Sequence, residues 1–126
     1  MVRRWPSLNL PNNMNTITID ASNQSLGRLS TKIAILLRGK NLVSYTPNQL
    51  PDTQVVISNI DKIKFTGNKM ETKKYHRYSG YPGGIHTRTL GEWWAKHPQE
   101  VVRHSVYRML PKNKMRDKII THLKFK

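Results

Sequence analysis

An α/β domain built on a mainly parallel sheet is the fold class this sequence predicts, and three observations predict it. "TITIDAS" (16–22) alternates β-branched and polar residues as a half-buried strand does. The next segment repeats apolar residues at three- and four-residue steps, the period of an amphipathic helix. Val55-Val56-Ile57 is then a short continuous apolar run, suited to a strand buried on both faces. Strand, helix and strand in that order make a βαβ unit, whose right-handed crossover places both strands side by side and parallel.

The elements follow in order. Residues 1–15 hold two prolines, four asparagines and no periodicity, so they read as an irregular arm ahead of one domain spanning 16–126. In the first strand Ile17 and Ile19 share a face, and Asp20 closes it. Ser25 is the expected N-cap of the first helix, Leu26, Leu29, Ile33, Leu36 and Leu37 form its stripe, and Gly39 is a natural residue beyond its C-terminus. "NLVSYTPNQLPD" is loop. Ile63 and Phe65 alternate with Lys62 and Lys64, which suggests a further strand ending in the turn residues Thr66, Gly67, Asn68 and Lys69. Thr89-Leu-Gly-Glu92 fits a capping box opening a short helix with Trp93 and Trp94, both expected as packing anchors. His97-Pro98 ends that helix and starts another, with Glu100 near its positive end, an apolar stripe of Val102, Val106 and Met109, and Pro111 as terminator. The tail begins as a basic helical turn and finishes as a strand, with Leu123 and Phe125 alternating with lysines.

Charge narrows the function. Of 126 residues, 22 are Lys or Arg and only 7 are Asp or Glu, a formal net charge of +15 that calls for an anionic partner. Nucleic acid answers best, because a phosphate backbone rewards many dispersed cations through counterion release. The absence of cysteine removes disulfides, zinc ribbons and thiol nucleophiles. No apolar run approaches the roughly 20 residues of a membrane span, and the first 15 residues lack the apolar core of a secretory signal, so a soluble intracellular protein with no membrane partner is expected. The formal glycosylation triplet Asn23-Gln24-Ser25 is better explained by helix capping.

The densest chemistry lies in "KKYHRYSGYPGGIHTR" (73–88). As a phosphate loop it fails on spacing, since neither G-x-x-x-x-G-K-[ST] nor G-x-G-x-x-G occurs; a positive φ or a close backbone approach at Gly83 and Gly84 is the reading that survives. As a metal site it fails as well: His76, His86, His97, His104 and His122 lack both the i, i+4 spacing with an adjacent Glu and a carboxylate cluster, so solvated or RNA-facing imidazoles are expected. The seven acids are scattered, nominating no catalytic pair, and neither an enzyme nor a small-molecule substrate is expected. What remains is a polyanion surface. Lys69, Lys73, Lys74, Arg77 and Arg88 surround Tyr75, Tyr78 and Tyr81, combining phosphate neutralisation with flat faces for unpaired bases. Any one of these residues alone is equally at home as packing or as solvated surface; as a set they favour RNA, and the excess recurs at Lys112, Lys114, Arg116, Lys118, Lys124 and Lys126.

Five motifs in fixed order carry a family resemblance: "LGRLSTKIAILLRGK" (26–40), "YTP" (45–47), "FTGNK" (65–69), "SGYPGGI" (79–85) and "MLPKNKMRDK" (109–118). From about residue 17 onward the chain resembles the bacterial-type large-subunit ribosomal proteins of the uL13 (L13) family. That resemblance implies a three-layer α/β/α domain around a four-stranded, mainly parallel sheet. It implies a structural, non-catalytic role in the large ribosomal subunit, binding and stabilising its RNA during assembly and translation beside neighbouring subunit proteins, without a cofactor. It further implies RNA-facing positions at Arg28, Arg38, Lys40, Thr66, Gly67, Asn68, Lys69, Lys73, Lys74, Tyr75, Gly80, Gly83, Gly84, Lys112, Asn113 and Arg116, to which the charge pattern adds Arg77, Arg88 and Lys114. The implied location is a bacterial-type cytoplasmic ribosome, with an organellar ribosome as alternative; relatives that bind messenger RNA and restrain translation give a second, extra-ribosomal role. Two features depart from the family pattern: no aromatic precedes Asp20 in the first strand, and the chain closes on Leu123-Lys-Phe-Lys126 without the His- and Gly-containing extension many relatives carry.

Overall fold

The computed structural model describes residues 14–126, so the expected arm lies, up to residue 13, outside the described residues. Strand β1 (Asn15–Asp20) leads into helix α1 (Leu26–Leu37) and strand β2 (Thr53–Ser58), and β1 and β2 pair in parallel with Ile17 opposite Val55 and Ile19 opposite Ile57. The βαβ unit is therefore present as its periodicities require. Strand β5 (Leu123–Phe125) adds in parallel on the far side of β2, giving the order β1-β2-β5.

Between β2 and β5 the chain is more irregular than a four-stranded sheet demands. Asn59, at φ 56°, turns the backbone into a single 3-10 turn (Ile60–Lys62), and the expected strand through Ile63 and Phe65 shrinks to an isolated parallel bridge between Lys64 and Ser25. The period-2 alternation there is real but has another cause: Ile63 is buried in the core, and Phe65 packs edge-on to Trp94 with centroids 4.8 Å apart. Lys64 N donates to Gln24 O at 3.0 Å in this bridge, while Ser25 stands at the N-cap of α1 with its carbonyl accepting from Leu29 N at 3.0 Å and makes no side-chain capping bond. At the other end Arg38 closes the helix, and Gly39 takes φ +71°, the left-handed conformation that a residue after a helix favours.

A short helix α2 (Lys69–Thr72) and an antiparallel hairpin of β3 (Lys74–Tyr78) and β4 (Ile85–Thr89) precede helices α3 (Leu90–Lys96), α4 (Pro98–Met109) and α5 (Met115–Ile120). The capping box of α3 forms as expected: Glu92 N donates to Thr89 Oγ1 and Thr89 N to Glu92 Oε2, both at 3.3 Å. Pro98 occupies the first turn of α4. One core joins Leu29, Ile33 and Leu37 of α1, Val55 and Ile57 of β2, Val102 and Val106 of α4, Ile119 of α5 and Leu123 of β5. Burying these side chains is what holds the helices on the sheet, at about 1.5–3 kcal/mol for each large one. Met109, expected in the same stripe, is 42% exposed because the buried stripe runs from Val102 and Val106 to Leu110 at four-residue steps and leaves Met109 to one side. Val56 is half-buried rather than enclosed, since its face of the sheet is shared with the exposed Thr18 and Lys124.

Candidate nucleic-acid interface

The hairpin shows how sequence and pairing divide the work. Lys74-Tyr-His-Arg-Tyr78 and Ile85-His-Thr-Arg-Thr89 have almost no buried face, so backbone pairing alone makes them strands. Register sets two faces. Tyr75 stands opposite Arg88 and Arg77 opposite His86 on one; His76 stands opposite Thr87 and Tyr78 opposite Ile85 on the other, where His76 Nδ1 and Thr87 Oγ1 are 2.9 Å apart. The base is anchored. Tyr75 meets Trp93 edge-on at 4.9 Å and His104 at 5.6 Å, Arg88 stacks 3.9 Å over Trp93, and Leu90 N donates to Lys73 O at 2.9 Å. The tip is open: Tyr78, Tyr81 and Ile85 are 64%, 76% and 63% exposed.

Glycine makes the tip for two different reasons. Gly80 and Gly83 have φ of +91° and +72°, where a side chain is strained although space is open. Gly84 has ordinary φ, but a Cβ there would collide with Ser79 Oγ and sit 2.9 Å from Tyr81 O, inside the turn closed by Ser79 N to Gly84 O (3.0 Å) and Gly84 N to Tyr81 O (2.9 Å).

The remaining expected positions fall into three groups. Arg28, Thr66, Lys69 and Lys73 are brought together around one cleft, with exposed Gly67 (φ +63°) and Asn68 in its adjoining turn. Lys112, Asn113 and Lys114 are exposed on the loop between α4 and α5, where Asn113 Oδ1 accepts from Arg116 N at 3.1 Å. Arg116 itself is half-buried, its guanidinium stacked 3.9 Å over Tyr107. Arg38 is also an internal strut, donating to Tyr45 Oη at 3.0 Å, while Lys40 beyond it is exposed. Lys64, which the sequence reading left out, lines the same cleft as Arg28; its alternation with Ile63 and Phe65 is the signal that puts it outside.

Two histidines are withdrawn from solvent, His122 fully and His104 by half. His122 is buried with Nδ1 unpartnered, and burial lowers its pKa from 6.5. His104 is lowered likewise, by burial first and then by Arg108, Arg88 and Lys73. Four of the seven acids are committed to neutral donors: Asp20 accepts from Asn59 and Ser22, Glu100 from Trp93 Nε1 (3.2 Å), Asp117 from Tyr107 Oη (2.8 Å), and Glu92 caps α3. Among the described residues no three His, Asp or Glu side chains gather as metal ligands, and no helix is long and apolar enough to cross a membrane.

Fold and site together define a strongly basic α/β domain carrying a cationic, glycine-turned hairpin. The model of the family described as ribosomal protein L13 matches residues 14–125, and the chain belongs to that family. Its relatives include the large ribosomal subunit proteins uL13 of Thermus thermophilus, 48% identical over 108 residues (86% of this chain, 77% of the relative), and of Deinococcus deserti, 46% identical over 100 residues (79% and 71%). That of Syntrophobacter fumaroxidans is 44% identical over 108 residues (86% and 76%).

Proposed function

We propose that this protein is a non-catalytic structural component of the large ribosomal subunit in a bacterial-type cytoplasmic ribosome, binding and stabilising large-subunit ribosomal RNA during assembly and translation. Membership of the family and the subunit named in its bacterial relatives support the assignment. The observation that carries the RNA-binding part is the hairpin: a basic, aromatic-tipped element fixed at its base by Tyr75 and Arg88 on Trp93 and exposed along its length. Pairing and anchoring remove the ordering cost that a flexible basic segment meets on binding.

On this reading Lys69, Lys73, Lys74, Arg77, Lys112 and Lys114 neutralise phosphates, Tyr78 and Tyr81 offer faces for unpaired bases, and Gly80, Gly83 and Gly84 keep the tip thin enough for close backbone approach. Tyr75, Arg88, Arg38 and Arg116 position these groups while presenting charge or polar edges. The test is filter binding of the full chain to transcribed large-subunit ribosomal RNA across a salt series. Expected is tight binding whose log Kd rises with log salt by roughly 0.7–0.9 per neutralised phosphate, summing to several. Equal affinity for small-subunit ribosomal RNA and for large-subunit RNA contradicts the assignment.

A further inference from the structure

A cleft of about 560 Å³ opens where the first turn of α1, the 64–69 segment and the end of α4 meet. Four cations line it, Arg28, Lys64, Lys69 and Lys73, and no acid does. A phosphate backbone alone would ask for nothing more than those charges. Yet Leu26, Phe65, Leu90 and Met109 line the same cleft. Phe65 is fixed edge-on against Trp94, and Met109, 42% exposed and within 3.4 Å of Thr31 Oγ1, is an apolar side chain left uncovered beside a cationic rim. Volume, apolar lining and rim charge together match a concave small-molecule site of about 300–1,000 Å³ better than an open phosphate patch.

We propose that this cleft takes one unpaired nucleotide extruded from the bound RNA, its base against Phe65, Leu26 and Met109 and its flanking phosphates on Arg28, Lys64, Lys69 and Lys73. The inference rests on the RNA-binding reading above and adds to it a discrete pocket that distinguishes a bulged strand from a paired one. A duplex keeps its bases stacked and offers the cleft only its backbone; a bulge supplies the apolar surface that the lining can cover.

Gly27 permits a clean test. It lines the cleft, is exposed, and a Cβ there meets nothing within 4 Å, so Gly27→Leu starts its side chain in open space at the cleft, and a thermal melt of the variant checks that the fold is kept. The full chain is titrated against a short RNA duplex carrying one bulged 2-aminopurine, the same duplex fully paired, and adenosine monophosphate. Expected are about tenfold tighter binding of the bulged duplex, a change in 2-aminopurine fluorescence, and loss of that preference in Gly27→Leu and in Met109→Ala with the paired duplex bound as before. Equal binding of both duplexes by the unmodified protein, or equal losses on both in the variants, overturns the pocket while leaving RNA binding intact. Adenosine monophosphate binding as tightly as the bulged duplex also overturns it, by making the ligand a free nucleotide. Failure to bind either duplex while transcribed large-subunit ribosomal RNA is still bound overturns the pocket alone; failure to bind that RNA as well sinks the RNA-binding reading and the pocket with it.

Discussion

The guanidinium of Arg88 lies 3.9 Å over the indole of Trp93, joining the exposed hairpin to a side chain sealed in the core. Trp93 is the shared partner in this region: Tyr75 and His104 meet it edge-on, and its Nε1 donates to Glu100.

Trp93→Ala is expected to destabilise the domain by about 3–5 kcal/mol, the range for deleting a buried large aromatic, and to strip the hairpin amides of exchange protection. Arg88→Ala leaves the core filled and is expected to cost about 0.5–1 kcal/mol, as for an exposed cation–π pair. Urea unfolding with hydrogen exchange on both variants checks the order.

The turn glycines separate conformation from space. Gly83→Ala forces a side chain into φ +72° and is expected to cost about 1–3 kcal/mol of local hairpin stability. Gly84→Val forces the turn open against Ser79 and Tyr81. Because the tip lies outside the core, thermal melting of the body is expected to change less than RNA affinity in both variants; equal losses contradict this.

His122 and His104 set an acid limb. Both have folded pKa values below 6.5, with burial as the leading cause, so below pH 6.5 the unfolded chain takes up protons that the fold resists. Their contribution is complete above 6.5 and is lost as pH falls towards the folded values. The double variant His104→Phe, His122→Leu is expected to flatten the fall in stability as pH drops below 6.5, measured by urea midpoints; an unchanged slope contradicts it.

Asp20 acts in a more acidic window. Hydrogen bonds from the Asn59 side chain and from the backbone and hydroxyl of Ser22 lower its pKa from 3.8 to about 2. Its contribution is present above 3.8 and lost as pH falls through about 2. Asp20→Asn is expected to be less stable at neutral pH and to lack that portion of the acid titration.

What the sequence made legible follows from where side-chain burial leaves a period. Helix α1 shows its stripe because Leu29, Ile33 and Leu37 enter the core, and β5 shows its alternation because Leu123 is buried and Lys124 is not. The Thr89 capping box is local chemistry and reads directly. The hairpin strands have almost no buried face to print a period, so 73–88 reads as a glycine loop with cations although residues 74–78 pair in register with 85–89. The opposite failure occurs at Ile63 and Phe65, where alternation reflects core and aromatic packing without a ladder. At the site, charge marked most of the exposed cations. It did not reveal that Tyr75, Arg88 and Arg116 spend a face on aromatic partners, because each contact joins residues on different elements: Tyr75 of β3 and Arg88 of β4 meet Trp93 of α3, and Arg116 of α5 meets Tyr107 of α4.

Sucrose-gradient sedimentation of a lysate from cells expressing the protein at its natural level, with immunodetection across the fractions, tests the central claim most directly. The account predicts migration with large subunits and assembled ribosomes at about one copy per particle, released only at high salt as an electrostatic interface requires. A protein found mainly in the soluble fractions at low salt contradicts it.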